Sequence, residues 1–178
     1  MSKGFRFLFV CTGNTCRSPM ANAIAERMLK RIGWGNAETM SAGVSVLSRV
    51  PASEGAIQVS AEQGLDIQDH LSGSLSEELV DWADFVLVMD IYHLEVVEMY
   101  GGHGKSALLS SFADNYETGY DFGIIDPFAG DIEVYQETFG ILEELVEAAV
   151  AKIYSLSNDS NDIGDLGEIG YKTVENDL

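Results

Sequence analysis

A single stretch near the N-terminus constrains the fold of this chain more than any other feature. It reads Phe9-Val10-Cys11-Thr12-Gly13-Asn14-Thr15-Cys16-Arg17-Ser18-Pro19, an apolar segment that enters a loop of the form Cys-x5-Arg-Ser and continues into a helix-forming segment. A loop of this length is about enough to wrap one tetrahedral oxyanion, with backbone N–H groups pointing inward and the helix adding its positive end. The predicted phosphate-binding residues are Thr12, Gly13, Asn14, Thr15, Cys16, Arg17 and Ser18.

Individual residues of this loop suit the task. Gly13 and Asn14 best tolerate a positive φ, which a loop needs if its amides are to converge on one point. Ser18 before Pro19 predicts a helix N-cap followed by the first helical residue. Arg17 can place two parallel N–H bonds on a phosphoryl group, so we expect it to bind substrate and to stabilise the transition state.

Cys11 lies where a thiol would be most reactive. Inward amides, a helix N-terminus and the Arg17 guanidinium favour its thiolate form at neutral pH. Thiolate attack on phosphorus would give a phosphocysteine, which water then hydrolyses. The alternative, that Cys11 and Cys16 are only small buried apolar side chains, leaves the other loop residues without a role. We therefore predict a chain that binds phosphate and attacks it.

The loop resembles the active-site loop of the low-molecular-weight protein tyrosine phosphatases, V-C-x-G-N-x-C-R-S-P, at every fixed position. Family members also carry an Asp-Pro-aromatic segment near the end of the domain, and this chain has Asp126-Pro127-Phe128. The resemblance implies that Asp126 protonates the leaving group and then activates water. Pro127 supports that role, because it restricts Asp126 to an extended conformation and fixes the aim of its carboxylate.

The same resemblance implies a set of supporting side chains around the loop. In family members a serine and a histidine hold the loop asparagine in its strained conformation, and the matching residues here are Ser41, His70 and Asn14, with Ser18 beside them. Such supports would preorganise the site. For His70 the alternative is a surface histidine in the polar turn 69–73.

Three positions bear on which phosphorylated residue the site would prefer. Tyrosine-directed members usually carry an aliphatic residue where this chain has Thr15, and some place an aromatic residue where it has Leu47. The two adjoining tyrosines that are common in eukaryotic members are missing after Phe128. The loop and the segment 126–135 are similar to those of bacterial protein arginine phosphatases. That resemblance implies a preference for phosphoarginine, while phosphotyrosine, which Asp90 favours by the same kind of comparison, is the alternative.

There is also a physical case for phosphoarginine. The β-branched hydroxyl of Thr15 narrows the pocket and offers polarity to a planar guanidinium, and Asp126 could pair with that cation and protonate its nitrogen. Phosphotyrosine favours apolar walls that stack on its ring.

Other classes of function fit the residues less well. Arsenate reductases share this fold and loop but need further cysteines near residues 80–90, and the only other cysteine here is Cys16. A metal centre fails because two cysteines and three histidines show no zinc spacing. A binding module without turnover would need neither the Cys11 thiol nor the Asp126 acid. We further hypothesise a reversible Cys11–Cys16 disulfide that protects the thiolate from over-oxidation.

Composition sets the remaining expectations. The chain has 178 residues, 46% of them hydrophobic, which fits one domain over 1–154 and an acidic, flexible tail over 155–178. No apolar run could serve as a signal peptide or membrane span, and two close cysteines make no disulfide framework, so we expect a cytoplasmic protein. A net charge of −19 argues against nucleic acid as a partner. We expect a monomer without cofactors that acts on phosphorylated proteins.

Strand and helix signals alternate along the chain. We predict strands over 5–10, 37–40, 85–89 and 107–109, and helices over 19–32, 53–63, 76–82, 91–100 and 132–154. This alternation predicts a three-layer α/β/α fold with a four-stranded parallel sheet. Ligands of such sheets lie beyond the carboxyl ends of the strands, where Cys11 falls.

Overall fold

A computed structural model describes residues 4–113 and 123–158 of the chain. Within them the strands are β1 (Arg6–Cys11), β2 (Glu38–Gly43), β3 (Phe85–Val88) and β4 (Ser106–Leu108). The helices are α1 (Arg17–Ile32), α2 (Glu54–Glu62), α3 (Glu77–Trp82), α4 (Ile91–Met99), α5 (Leu109–Phe112) and α6 (Ile132–Asn158). The part of the predicted tail that follows Asn158 lies outside the described residues.

The four strands form one parallel sheet in the order β2-β1-β3-β4. Alternate side chains of β1 face opposite sides of this sheet. Phe7, Phe9 and Cys11 join an apolar cluster with α1 and α6, whereas Leu8 and Val10 join a second cluster with α3 and α4. Helices therefore cover both faces, which is why β3 is apolar throughout and β1 is apolar after Arg6. The predicted three-layer α/β fold with a four-stranded parallel sheet is confirmed.

The end of β1 lies at the point where the strand order reverses. β1 is central, and the chain passes from it to β2 on one side and later to β3 on the other. Ligands of open α/β sheets bind in the crevice at such a point. Gly43 pairs in register with Cys11 there. A Cβ at this glycine would meet the Thr12 carbonyl oxygen at 2.7 Å, so glycine permits β2 to approach the loop.

Some element boundaries differ from those predicted. The strand predicted over 37–40 ends too early, because residues 41–43 continue β2 and pair with 9–11 of β1. Helix α6 runs to Asn158, beyond the predicted end at Tyr154. The short helix α5 was not predicted. Among the described helices, none combines the length and the apolar character needed to cross a membrane.

Candidate active site

The loop between β1 and α1 turns its carbonyl groups outward. The carbonyl oxygens of Cys11 and Thr12 accept from the N–H groups of Val44 and Ser45 at 3.0 and 2.9 Å. The Thr15 carbonyl accepts from the N–H group of Ser53 at 2.9 Å. In a trans peptide the C=O and the following N–H point in opposite directions. The N–H groups that follow these carbonyls therefore point into the loop, where an oxyanion would be held.

The first turn of α1 adds to this concave surface. The helix begins at Arg17 with Cys16 in the N-cap position, and Cys16 makes no capping hydrogen bond with its side chain. The prediction that Ser18 is the N-cap was therefore wrong. Its hydroxyl lies inside the loop, 2.9 Å from Cys11 Sγ and 2.8 Å from Asn14 Nδ2. The first N–H groups of the helix are left without a side-chain cap, which suits an anion site.

Cys11 is the last residue of β1, and its side chain is nearly buried in the floor of the loop. The Ser18 hydroxyl can donate its proton to this sulfur across 2.9 Å, while it accepts from the amide of Asn14. This hydrogen bond fixes the position of the sulfur relative to the loop. The geometry is thus that of a nucleophile held in place by a neighbouring side chain.

Asn14 carries the strained backbone of the loop. Its φ is 53°, in the left-handed region. Its amide nitrogen donates to Ser18 Oγ at 2.8 Å and to Ser41 Oγ at 2.9 Å, and its amide oxygen accepts from the N–H group of Gly73 at 2.9 Å. Gly13, the other residue expected to tolerate a positive φ, does not adopt one. Asn14 provides the turn instead, because its three hydrogen bonds offset the cost of its conformation.

His70 lies against the loop. Its Nε2 atom is 2.8 Å from the carbonyl oxygen of Asn14. Because that carbonyl can only accept, Nε2 must carry the proton. The structure therefore brings His70 and Ser41 to Asn14, as the sequence resemblance implied, and His70 is not a free surface histidine.

Arg17 is buried, and its guanidinium lies beside the loop. Nη1 donates to the carbonyl oxygen of Ile124 at 3.0 Å. Nη2 lies 2.5 Å from Asp126 Oδ2 and 3.4 Å from Thr12 Oγ1. In the described part of the chain the buried Nε atom has no partner. This nitrogen therefore has an N–H group that could donate to an anion in the loop.

Asp126 reaches the loop from the segment before α6. Its side chain is 43% exposed, so it borders both the Arg17 guanidinium and solvent. Its second oxygen, Oδ1, accepts from the N–H group of Phe128 at 3.2 Å, which fixes the direction of the carboxylate. The next residue, Ala129, has a φ of 62°. Among the described residues that are not glycine, only Asn14 and Ala129 have positive φ, and both flank this site.

The predicted specificity residues lie at different depths. Thr15 is half-buried in the loop, with Oγ1 3.6 Å from Cys16 Sγ. Phe128 is 67% exposed beside Asp126, and Leu47 is fully exposed in the segment after β2. Thr15 is thus the member of this set that belongs to the loop itself, and the other two offer apolar surface outside it.

Cys16 has partners that the sequence did not indicate. Its sulfur lies 3.2 Å from Ser53 Oγ and 3.6 Å from the phenolic oxygen of Tyr135. Burial raises the pKa of Tyr135, so its hydroxyl keeps the proton and can donate to the sulfur. Ser53 is the N-cap of α2, and Tyr135 lies in the first turn of α6. These contacts connect the end of the loop to α2 and α6.

His93 also contacts the loop, although the sequence assigned it no partner. It lies in the first turn of α4, and its Nε2 atom is 2.8 Å from Thr12 Oγ1. The fold could have indicated this contact. β3 pairs with β1, so the helix that follows β3 must begin near the loop that follows β1.

A cleft of about 480 Å³ opens beside the loop. It is lined by Thr12, Arg17, Asp90, Tyr92, His93 and residues 123–126. Within residues 4–113 and 123–158, no group of His, Cys, Asp and Glu side chains has the geometry to hold a metal ion.

A parallel α/β sheet with a cysteine, an arginine and an aspartate around one anion loop defines a class, the cysteine-dependent phosphatases.

Comparison with known proteins specifies the family. Residues 6–159 match the family described as Low molecular weight phosphotyrosine protein phosphatase. The chain is 40% identical over 151 residues to a protein-arginine-phosphatase of Geobacillus stearothermophilus, a match that covers 84% of this chain and 96% of that protein. The chain therefore belongs to the low molecular weight phosphotyrosine protein phosphatase family, and its predicted class of enzyme, a protein phosphatase, is confirmed.

Two solved structures agree with this assignment. A low molecular weight protein tyrosine phosphatase from T. tengcongensis has a TM-score of 0.76 and 38% identity, and the match covers 84% of this chain and 99% of that one. A YwlE arginine phosphatase, solved as a Cys-to-Ser variant with a phosphorylated active-site serine, has a TM-score of 0.75 and 34% identity, over 84% of this chain and 95% of that one.

Proposed function

We propose that this protein removes phosphate from phosphoarginine in proteins through a phosphocysteine formed on Cys11. The observation that carries the proposal is the convergence of Cys11, Arg17 and Asp126 on one loop whose amides point inward. A nucleophile, a fixed cation and a carboxylate at the mouth are what a two-step phosphoryl transfer needs.

The first step forms the enzyme-bound intermediate. The Cys11 thiolate attacks phosphorus, so that an S–P bond forms while the bond from phosphorus to the leaving nitrogen breaks. The electron pair of the broken bond stays on that nitrogen, the carboxylic acid form of Asp126 gives it a proton, and arginine leaves with its guanidinium cation intact. Arg17 and the inward N–H groups stabilise the charge on the phosphoryl oxygens.

The second step restores the enzyme. The Asp126 carboxylate accepts a proton from water as the water oxygen attacks phosphorus, and the S–P bond breaks. The electron pair returns to sulfur as the thiolate, which the Ser18 hydroxyl can stabilise across 2.9 Å. Inorganic phosphate leaves, and Asp126 is again protonated for the next cycle.

Thr15 supports the choice of phosphoarginine. Its hydroxyl lies within the loop beside Cys16, so this position carries a polar group where an aliphatic side chain would favour a phenol ring. Similarity to a protein-arginine-phosphatase at 40% identity supports the same choice. Phosphotyrosine is the second candidate, because a protein tyrosine phosphatase is 38% identical and has the same fold. Exposed Phe128 and Leu47 would contact either substrate protein outside the loop.

The setting we propose is a monomer acting on phosphoproteins in the cytoplasm. Cys11 and Cys16 are both free thiols, which suits a reducing compartment. A net charge of −19 would repel nucleic acid and would favour basic protein segments as carriers of the phosphoryl group. Cys16 would serve as the partner of Cys11 in a reversible disulfide under oxidative conditions.

The test is the rate of phosphate release from matched peptides that carry either phosphoarginine or phosphotyrosine. We expect the ratio of kcat/KM values to favour phosphoarginine, and we expect Cys11→Ser to abolish release from both. Thr15→Val is the matched variant, because it replaces one hydroxyl with a methyl group of similar size. It should shift the ratio toward phosphotyrosine. A wild-type preference for phosphotyrosine would overturn the substrate choice, and full activity of Cys11→Ser would overturn the mechanism.

A further inference from the structure

A buried histidine that takes no part in the two steps above contacts the phosphate loop. His93 is 1% exposed and lies in the first turn of α4, three residues after the N-cap residue Asp90. Its Nε2 atom is 2.8 Å from Thr12 Oγ1, and Thr12 follows the nucleophile in sequence. A buried polar ring in this position needs a reason, because its desolvation costs free energy unless its hydrogen bonds compensate.

The contact continues from Thr12 to the arginine. Thr12 Oγ1 lies 3.4 Å from Arg17 Nη2, so the hydroxyl oxygen accepts from the guanidinium while it shares a proton with the imidazole. The imidazole, the hydroxyl and the guanidinium therefore form one chain of hydrogen bonds. A hydroxyl held at two sites has a fixed orientation, and it transmits that orientation to the group that donates to it.

The imidazole of His93 in this chain of hydrogen bonds is neutral. Burial and, secondly, the positive charge of Arg17 lower the pKa of His93 to about 4, although Asp90 and Asp126 act in the opposite direction. At neutral pH His93 therefore adds no charge to the site. It acts on Arg17 through geometry, and Arg17 remains the cation that meets the phosphoryl group.

These hydrogen bonds become more important for the position of Arg17 when substrate binds. Asp126 and Thr12 are the acceptors of Arg17 Nη2 within the described residues. For Asp126 to protonate a leaving group it must turn away from Nη2, and Thr12 is then the side-chain acceptor that keeps this nitrogen in place. We propose that His93 is a positioning residue, which orients Thr12 and through it the Arg17 guanidinium for the phosphoryl group. This rests on the proposed function only in that Arg17 binds phosphate.

Binding of inorganic phosphate to variants in the Cys11→Ser background tests the proposal without turnover. His93→Phe keeps a buried ring but removes the hydrogen bond, and we expect it to weaken phosphate binding about tenfold. His93→Gln retains a side-chain amide and should recover most of the loss. Thr12→Val should weaken binding as much as His93→Phe, and combining the two should cause no further loss. His103→Phe, at an exposed histidine, is the matched control and should have no effect.

The imidazole ¹⁵N spectrum tests the proposal without replacing His93. If His93 had only a structural role, its ¹⁵N signals would not respond to phosphate. In the Cys11→Ser protein the Nε2 signal of His93 should shift when phosphate is added, and this response should disappear in Thr12→Val. Phosphate binding unchanged in folded His93→Phe, or losses that multiply in the double variant, would overturn the proposal. If wild-type protein released phosphate from neither peptide, the proposed function would fail, yet phosphate binding would still decide the role of His93.

Discussion

Asp126 Oδ2 lies 2.5 Å from Arg17 Nη2, although the two residues come from opposite ends of the domain. The arginine side chain is 4% exposed and the aspartate side chain is 43% exposed, so the pair spans the boundary between the loop and solvent. A phosphoryl group in the loop would compete with Asp126 for the guanidinium. In the proposed mechanism, substrate binding would therefore free the carboxylate at the place where a leaving group must be protonated.

Replacing Asp126 with Asn should separate binding from turnover. The amide keeps the size of the side chain but can neither transfer a proton nor pair as an anion with Arg17. We expect kcat on a phosphoarginine peptide to fall by roughly 100-fold or more, while inorganic phosphate binds at least as tightly as before. Steady-state kinetics and calorimetry measure the two quantities. An unchanged kcat would contradict the role assigned to Asp126.

Asn14 should be the most sensitive of the supporting side chains. Asn14→Ala removes the hydrogen bonds to Ser18, Ser41 and Gly73 and leaves a residue with a Cβ at a φ of 53°. We expect the free energy of unfolding to fall by about 3 kcal/mol, against about 1 kcal/mol for Ser41→Ala. Asn14→Gly loses the same bonds without the backbone strain, so it should be more stable than Asn14→Ala by about 1 kcal/mol. Equal stability of the Gly and Ala variants in urea unfolding would disprove the strain.

His93 should make stability depend on pH. Its pKa is lowered from the ordinary value of 6.5 to about 4 in the folded protein, so between these values the unfolded chain binds the proton more readily. The contribution of neutral His93 to the free energy of unfolding is therefore full above pH 6.5 and is lost as the pH falls toward 4. From pH 7 to pH 5 the wild type should lose about 2 kcal/mol more than His93→Gln, which cannot titrate. Parallel loss in the two proteins would show that the folded pKa is not lowered.

The two cysteines should respond to peroxide as a pair. We expect limited oxidation to give a Cys11–Cys16 disulfide, detected by mass spectrometry, and thiol reductants to restore activity. Cys16→Ser is the control, and its Cys11 should pass to the irreversible sulfinic acid instead. Irreversible oxidation of Cys11 in the wild type would count against a protective disulfide.

Contacts between residues that lie close together along the chain were easier to predict from the sequence than contacts between distant residues. The anion loop was predictable because Cys11 and Arg17 lie a few residues apart, between a strand and a helix with clear apolar patterns. The N-cap prediction for Ser18 failed because its hydroxyl forms hydrogen bonds across the loop with Cys11 and Asn14, and the helix begins one residue earlier, at Arg17. Local propensity contains no information about such partners.

The contact of His93 could not be read from a local pattern either. Its partner Thr12 lies far away along the chain and is brought to it only by the pairing of β1 with β3. Ser41 and His70 were assigned by resemblance to a family, since nothing in their own neighbourhoods points to Asn14. The fold supplies the physical basis for that assignment, because Ser41 and His70 each form a hydrogen bond with Asn14.

Trapping the phosphorylated enzyme tests the central claim most directly. Asp126→Asn should react with p-nitrophenyl phosphate, whose leaving group needs no proton, and should then hydrolyse its intermediate slowly. We predict a burst of nitrophenolate equal to the enzyme concentration, with the phosphoryl group found on the Cys11 peptide after rapid quenching and mass spectrometry. The absence of a burst together with no phosphate on Cys11, or phosphate on another residue, would contradict a phosphocysteine mechanism.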